Sequence, residues 1–432
     1  MSILTTHPLQ KSLDGVLQAP PSKYHTHRGL ILSALAKGTS TVTGISKSLD
    51  NLSTLQSLSL LGTKYTAIEN GYKIEGGPFE TPKNIIDCGN SGSTIHFLLG
   101  LAATAPNMTV FTGDDSLRSR PLGPYIDALN RWGIEVWSTR ANGMLPVVIR
   151  HRDVSTLRDH VEINGLISPW TTGLILLAPF TGHDVTVEIE KGKLNEGSYT
   201  LLMIKMMEQF GVKVEFPENR STFFIQGNQN YTPANIDIPG DIALASFGLV
   251  LAALSNSRMR YTNIDLQVYH PEAKIIEVLQ MMGADIRIDP IGKAVEVVGG
   301  RPLKGVTVDC NDAPDMVPIL SVLLSLAQGD SKIINAEQLR FKECDRLAAM
   351  TQLNKMGADV TETSDGLIFK GVKKLHGASV DSFHDHRVLM SFAVAGLVAD
   401  SPSSITDPGA AAVSYPGFLK DIGALGANFK AN

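Results

Sequence analysis

Four short stretches concentrate side chains that bind anions or carry protons. "SKYHTHR" sets Lys23 and Arg28 around two histidines, and "GDDSLRSRP" sets Arg118 and Arg120 just before a proline. "LRFKECDRL" places Arg340, Lys342 and Arg346 beside Glu343 and Asp345, while "HDHR" ends in His386 and Arg387. Arginine grips phosphate or carboxylate through two parallel hydrogen bonds, and lysine acts as a compact positive charge. A carboxylate among them can move a proton, its pKa lowered by neighbouring cations and raised by burial. Together they suit a small substrate that carries both phosphate and carboxylate.

Other chemistries lack their signatures. The histidines of "HTH" and "HDH" can share a strand face, but no carboxylate or cysteine partners stand at a clear metal-ligand spacing. There is no P-loop, no GxGxxG after a strand and no GxSxG, so phosphate recognition here points to a metabolite rather than a nucleotide. The three cysteines (Cys88, Cys310 and Cys344) are odd in number and form no CxxC, which argues against a disulfide framework or a zinc site. A net charge of −5 supplies no general attraction to nucleic acid or anionic membrane. The N-terminus has no charged-then-apolar signal pattern, and no unbroken apolar run reaches membrane-spanning length. A soluble cytoplasmic protein is expected, without nucleic-acid or membrane partners.

The elements that must position these residues form a repeat. An amphipathic helix ending in glycine and followed by a short strand recurs as "LQSLSLLGTKY", "IDALNRWGIEV", "IKMMEQFGVKV", "IEVLQMMGADI", "MTQLNKMGADV" and "LKDIGALGANF". Its glycines, Gly62, Gly133, Gly211, Gly283, Gly357 and Gly426, lie 71, 78, 72, 74 and 69 residues apart. Glycine suits a helix C-terminus that needs a left-handed residue. Alternating with these copies, one ahead of each, are six further helices, such as "WTTGLILLAPF" and "LASFGLVLAAL", apolar on nearly every side and therefore buried in a bundle. The expected fold is a layered α/β (α+β) protein of 432 residues, with sheets covering buried helices. Polar or glycine-bearing segments precede each buried helix: "PPSKYHTHR", "DCGNSGS", "EINGLISPW", "IPGDIALAS", "DCNDAPDM" and "SFHDHR". Helix N-termini favour anions, so parallel buried helices would gather these segments around an anionic ligand.

The repeat, with "DCGNSGST", "GDDSLRSRP", "LRFKECDRL" and "DHRVLM", resembles the EPSP (5-enolpyruvylshikimate-3-phosphate) synthase family over essentially the whole chain. The resemblance implies two similar domains, each of three βαβαββ-type units with parallel buried helices. Residues 1–19 with 237–432 would form one, residues 20–236 the other, and the cleft between them would hold the active site. It implies transfer of the enolpyruvyl group of phosphoenolpyruvate (PEP) to the 5-hydroxyl of shikimate 3-phosphate, without a metal or organic cofactor, in a protein that is commonly monomeric. By motif match, Lys23, Asn90, Gly92, Arg120, Arg346 and Arg387 hold PEP. Asp315 resembles the base and Glu343 the proton donor, with Lys23, Lys342 and His386 as further catalytic residues. The acceptor positions are Tyr24, Arg28, Ser168, Trp170, Glu196, Tyr199, Asp315, Gln338 and Lys342.

Several of these positions depart from the family's usual pattern. Tyr24 replaces a serine, "Ser168-Pro169-Trp170" replaces Ser-Ser-Gln, Glu196 replaces a phosphate-binding serine and Gln338 an asparagine. Val413 stands where a PEP-binding lysine is usual. Proline cannot donate a hydrogen bond and a glutamate repels a phosphate dianion. The sequence therefore also admits a diverged relative acting on another cyclic alcohol or amine, or a non-catalytic descendant. The related UDP-N-acetylglucosamine enolpyruvyltransferases are disfavoured, because their loop cysteine is missing from "GDDSLRSRP".

Overall fold

A computed structural model describes residues 2–431, which divide into two compact units, Pro21–Ile238 and residues 2–20 with 239–431. Each unit is built around three buried helices. In the first these are Lys23–Leu35, Gly92–Leu101 and Ser168–Leu177. In the second they are Ile242–Leu254, Val317–Ser325 and His386–Val398. The helices Lys23–Leu35, Ile242–Leu254 and His386–Val398 each bury twelve of thirteen residues, so they are core on all sides rather than amphipathic.

Three sheets serve each unit, and all six share one plan: a parallel strand pair extended by antiparallel strands. In one of them Ile86–Asp87 runs parallel to Met108–Thr112, followed by antiparallel Val147–Arg150 and Val136–Ser138. The glycines that punctuate the sequence all take positive φ, between 84° and 118°, as helix ends of this kind require. Two copies differ from expectation. After Gly211 the anticipated strand shrinks to a single bridge between Glu215 and Phe224, leaving a three-stranded sheet. The helix before Gly357 divides into a short α-helix, Arg346–Met350, and a 3-10 turn, Thr351–Met356.

Strand pairing binds distant segments into each unit. Ile3–His7 sits between Ser403–Thr406 and Asn428–Ala431, and Asp14–Gln18 runs parallel to Arg258–Thr262. Asn235–Asp237 likewise runs parallel to Gly38–Thr43. Gly173 lets the helices Gly92–Leu101 and Ser168–Leu177 approach closely, since a Cβ there would lie 2.4 Å from the His96 carbonyl oxygen. Among the described residues no helix is long and apolar enough to cross a membrane, and no group of three or more His, Cys, Asp or Glu side chains is arranged to hold a metal ion.

Candidate active site

Four of the six buried helices begin at a side-chain cap, Ser22, Ser91, Asp241 or Asp385, each accepting a first-turn N–H. The helices starting at Ser168 and Val317 have no capping side chain. The sequence-predicted residues cluster at or near these starts, and each unit presents its own set.

In the unit Pro21–Ile238, Lys23 opens its helix and pairs with Asp50 at 2.5 Å. Arg28, one turn later and buried, donates to the backbone oxygens of Tyr24 at 3.0 Å and Tyr199 at 2.9 Å. It also lies over the Phe97 ring at 5.2 Å. The rings of Tyr24 and Tyr199 stand 4.9 Å apart, so three predicted acceptor residues form one assembly. Burial pushes the Arg28 pKa down to about 10, partly offset by the two tyrosines, so it remains cationic at neutral pH.

Arg120 donates to Asn90 Oδ1 at 2.8 Å and to Ser116 Oγ at 3.1 Å, and Asn90 in turn donates to Asp114 at 2.8 Å. Gly92 begins the adjoining helix, and a Cβ there would stand 3.3 Å from Arg120 Nη1. Asn90, Gly92 and Arg120 thus meet in one corner, where an amide, a helix N-terminus and a guanidinium are groups that favour an anion. Arg118 lies apart from this corner, paired with the exposed Asp115.

Ser168 and Trp170 are both fully buried. Trp170 packs edge-on against His96, with ring centroids 6.3 Å apart. Thr172 donates to the Ser168 carbonyl at 3.0 Å, and Thr172 and Thr200 hydroxyls lie 3.1 Å apart. Buried Glu196 precedes the helix Gly197–Gln209 in a left-handed conformation, φ 57°, rare for a residue with a side chain. A Cβ on Gly197 would lie 2.8 Å from Arg220 Nη1, so a cation stands beside the residue following Glu196.

The second unit's set centres on Arg346, buried in the first turn of its helix. Its guanidinium binds Asp315 at 2.6 Å, Glu343 at 2.7 Å and Asp385 at 2.7 Å. Burial opposes the Arg346 charge, but Asp385, Glu343 and Asp315 outweigh it and hold the pKa well above its ordinary value. Arg387 reaches the other Asp315 oxygen at 3.3 Å, and His386 Nδ1 lies 3.8 Å from Glu343. Lys342 is half-buried next to Glu343, and buried Gln338 donates to the Asn311 carbonyl at 3.3 Å. Arg340 instead pairs with Asp345 and Glu362. Burial pushes the Cys344 thiol pKa up, so this neighbour stays neutral.

Asp50 and Asp385 were not among the predicted site residues. Each had a detectable signal: Asp50 is an acidic residue in a helix's first turn, and Asp385 occupies the N-cap position of "DHR".

Residues 9–422 match the EPSP synthase (3-phosphoshikimate 1-carboxyvinyltransferase) family. A 3-phosphoshikimate 1-carboxyvinyltransferase of Methanococcus maripaludis is 38% identical over 423 residues, 97% of each chain. The solved EPSP synthase of Acinetobacter baumannii superposes with a TM-score of 0.81 at 26% identity, covering 100% of both chains. The enolpyruvyl transferase NikO of Streptomyces tendae shares the fold, with a TM-score of 0.77 at 16% identity over 100% of this chain and 99% of that one.

Proposed function

This chain belongs to the EPSP synthase family, and from that premise we propose that its two residue sets transfer the enolpyruvyl group of PEP to the 5-hydroxyl of shikimate 3-phosphate. The observation that carries this reading is the Arg346 guanidinium, which holds Asp315 and Glu343 on one side chain at 2.6 and 2.7 Å. Addition to PEP needs one group to take the hydroxyl proton and another to protonate the methylene carbon. Asp315 takes the first role and Glu343 the second. The acceptor oxygen bonds to the central PEP carbon, and loss of phosphate with a methyl proton then restores the vinyl group.

Arg120, Arg346, Arg387 and Lys23 bind the anionic groups of PEP, and the amides around Asn90 and Gly92 add donors at a helix start. Held in place beforehand, such charges stabilise the departing phosphate with little reorganisation. Arg28, with Tyr24 and Tyr199, serves the acceptor's carboxylate. Lys342, His386 and Gln338 complete the set contributed by the second unit.

The test is phosphate release from PEP with shikimate 3-phosphate, comparing the native protein with Glu343→Gln. Removing a general acid of this kind lowers kcat by about 10²–10⁴-fold. Retention of native turnover in Glu343→Gln would remove Glu343 from the chemistry.

The buried carboxylate of Glu196 favours a second reading, in which the acceptor is a cyclic alcohol or amine without phosphate. Comparing shikimate 3-phosphate with unphosphorylated shikimate separates the two.

A further inference from the structure

The unit Pro21–Ile238 has a cavity of about 380 Å³ that no step of the proposed reaction uses. It lies at the C-terminal ends of the buried helices, away from the starts that carry Lys23, Gly92 and Ser168. Leu35 comes from the end of the first helix, Thr104 from the turn after the second, and Phe180 from the turn after the third. Its volume falls within the range of small-molecule sites, about 300–1,000 Å³.

The lining is aromatic. Phe180 and Tyr231 stand 5.7 Å apart at 36°, and Phe79 adds a third ring. The Tyr231 hydroxyl is anchored on the Leu176 carbonyl at 3.0 Å, which leaves its ring rather than its polar tip for contact. Phe180 keeps 38% of its surface exposed, so its ring is open to contact. Lys37 lines the same cavity and makes no ion pair among the described residues.

The fold alone does not demand this lining. The other unit has a cavity of about 200 Å³ at the corresponding helix ends, beside Leu254, Leu326 and Val398. There the walls hold no aromatic ring; Arg301 and Lys374 pair with Asp285 at 3.0 Å and Asp400 at 2.9 Å, and Lys373 makes no ion pair among the described residues. Both cavities carry a lysine without an ion pair, but only the first has rings in its wall.

We propose that the Phe180–Tyr231 cavity binds a small aromatic carboxylate. Its ring enters between Phe180, Tyr231 and Phe79, where offset or tilted ring contacts are favourable. Its carboxylate stays at the mouth against Lys37, because the helix C-termini make the interior unfavourable for a negative charge.

Benzoate is the probe, with benzyl alcohol as its uncharged counterpart, titrated into the full chain by calorimetry and ligand-observed NMR. Benzoate is expected to bind, with benzyl alcohol weaker. Phe180→Ala should weaken benzoate by about two- to tenfold and Lys37→Gln by about two- to fivefold, the sizes of a lost ring contact and a lost exposed charge contact. A melting temperature within the native range would show that both variants are folded. Absent benzoate binding, or binding that neither substitution weakens, would overturn the proposal. So would displacement of benzoate by PEP, which would place it at the anion site.

Discussion

Arg346 donates from Nε to Asp385 at 2.7 Å, and that carboxylate also caps the helix carrying Arg387. Asp385 is fully buried and accepts the Arg387 and Val388 N–H groups at 2.8 and 3.2 Å. One side chain therefore orients two arginines of the candidate PEP site, one through its guanidinium and one through its backbone. Such an acceptor acts on positioning rather than on substrate.

Asp385→Ala should therefore injure both stability and PEP binding. Breaking a buried ion pair from one side costs about 3–5 kcal/mol. Asp385→Asn keeps a cap but loses the charge, so it should melt closer to the native protein while KM for PEP still rises about tenfold. Urea unfolding and steady-state kinetics on both variants check this.

A buried hydrogen-bond chain links the Lys23 helix to the cap of the helix that starts at Gly92. His27 Nδ1 lies 2.7 Å from Thr54 Oγ1, Thr54 lies 2.6 Å from Thr94 Oγ1, and Thr94 donates to the Ser91 cap at 2.7 Å. Thr54→Val removes the central hydroxyl at nearly constant shape, and Thr54→Ser retains it. The valine variant should raise KM for PEP several-fold at near-native kcat and lose about 1–3 kcal/mol of stability. The serine variant should recover PEP affinity, an outcome that separates loss of the hydroxyl from a change of volume.

The same histidine gives the fold a pH dependence. Burial first, then Lys23 and Arg28, hold the His27 pKa well below its ordinary 6.5. The unfolded chain takes up a proton near pH 6.5 that the folded chain refuses, so stability falls as pH drops below that value. The slope from this one group is at most about 1.4 kcal/mol per pH unit. His27→Gln cannot titrate, so its unfolding free energy should fall less between pH 7.5 and pH 5.5 than that of the native protein.

Much of the architecture could be read from the chain because glycine and apolar periodicity report local backbone needs. The positive φ at Gly62, Gly133, Gly211, Gly283, Gly357 and Gly426 is the physical counterpart of their spacing. The shrunken strand at Glu215 was not legible, since pairing depends on a partner rather than on local residues. Within the site, motifs exposed Arg346, Glu343 and Arg387, but not Asp50 as the partner of Lys23, which arises only when two helices pack. "SPW" illustrates a different limit. Trp170 reads as an odd residue for an anion-facing helix start, and the structure places it wholly in the core against His96.

Glu196 and Pro169 stand where the family resemblance expects phosphate-binding hydroxyls, so the acceptor is where the account is most exposed. The direct measurement is mass spectrometry of a reaction containing the protein, PEP and shikimate 3-phosphate, with released phosphate quantified in the same tube. The account predicts that shikimate 3-phosphate gains one carboxyvinyl group for each phosphate released, and that unphosphorylated shikimate is converted far more slowly. PEP binding without any such product from shikimate 3-phosphate would contradict it.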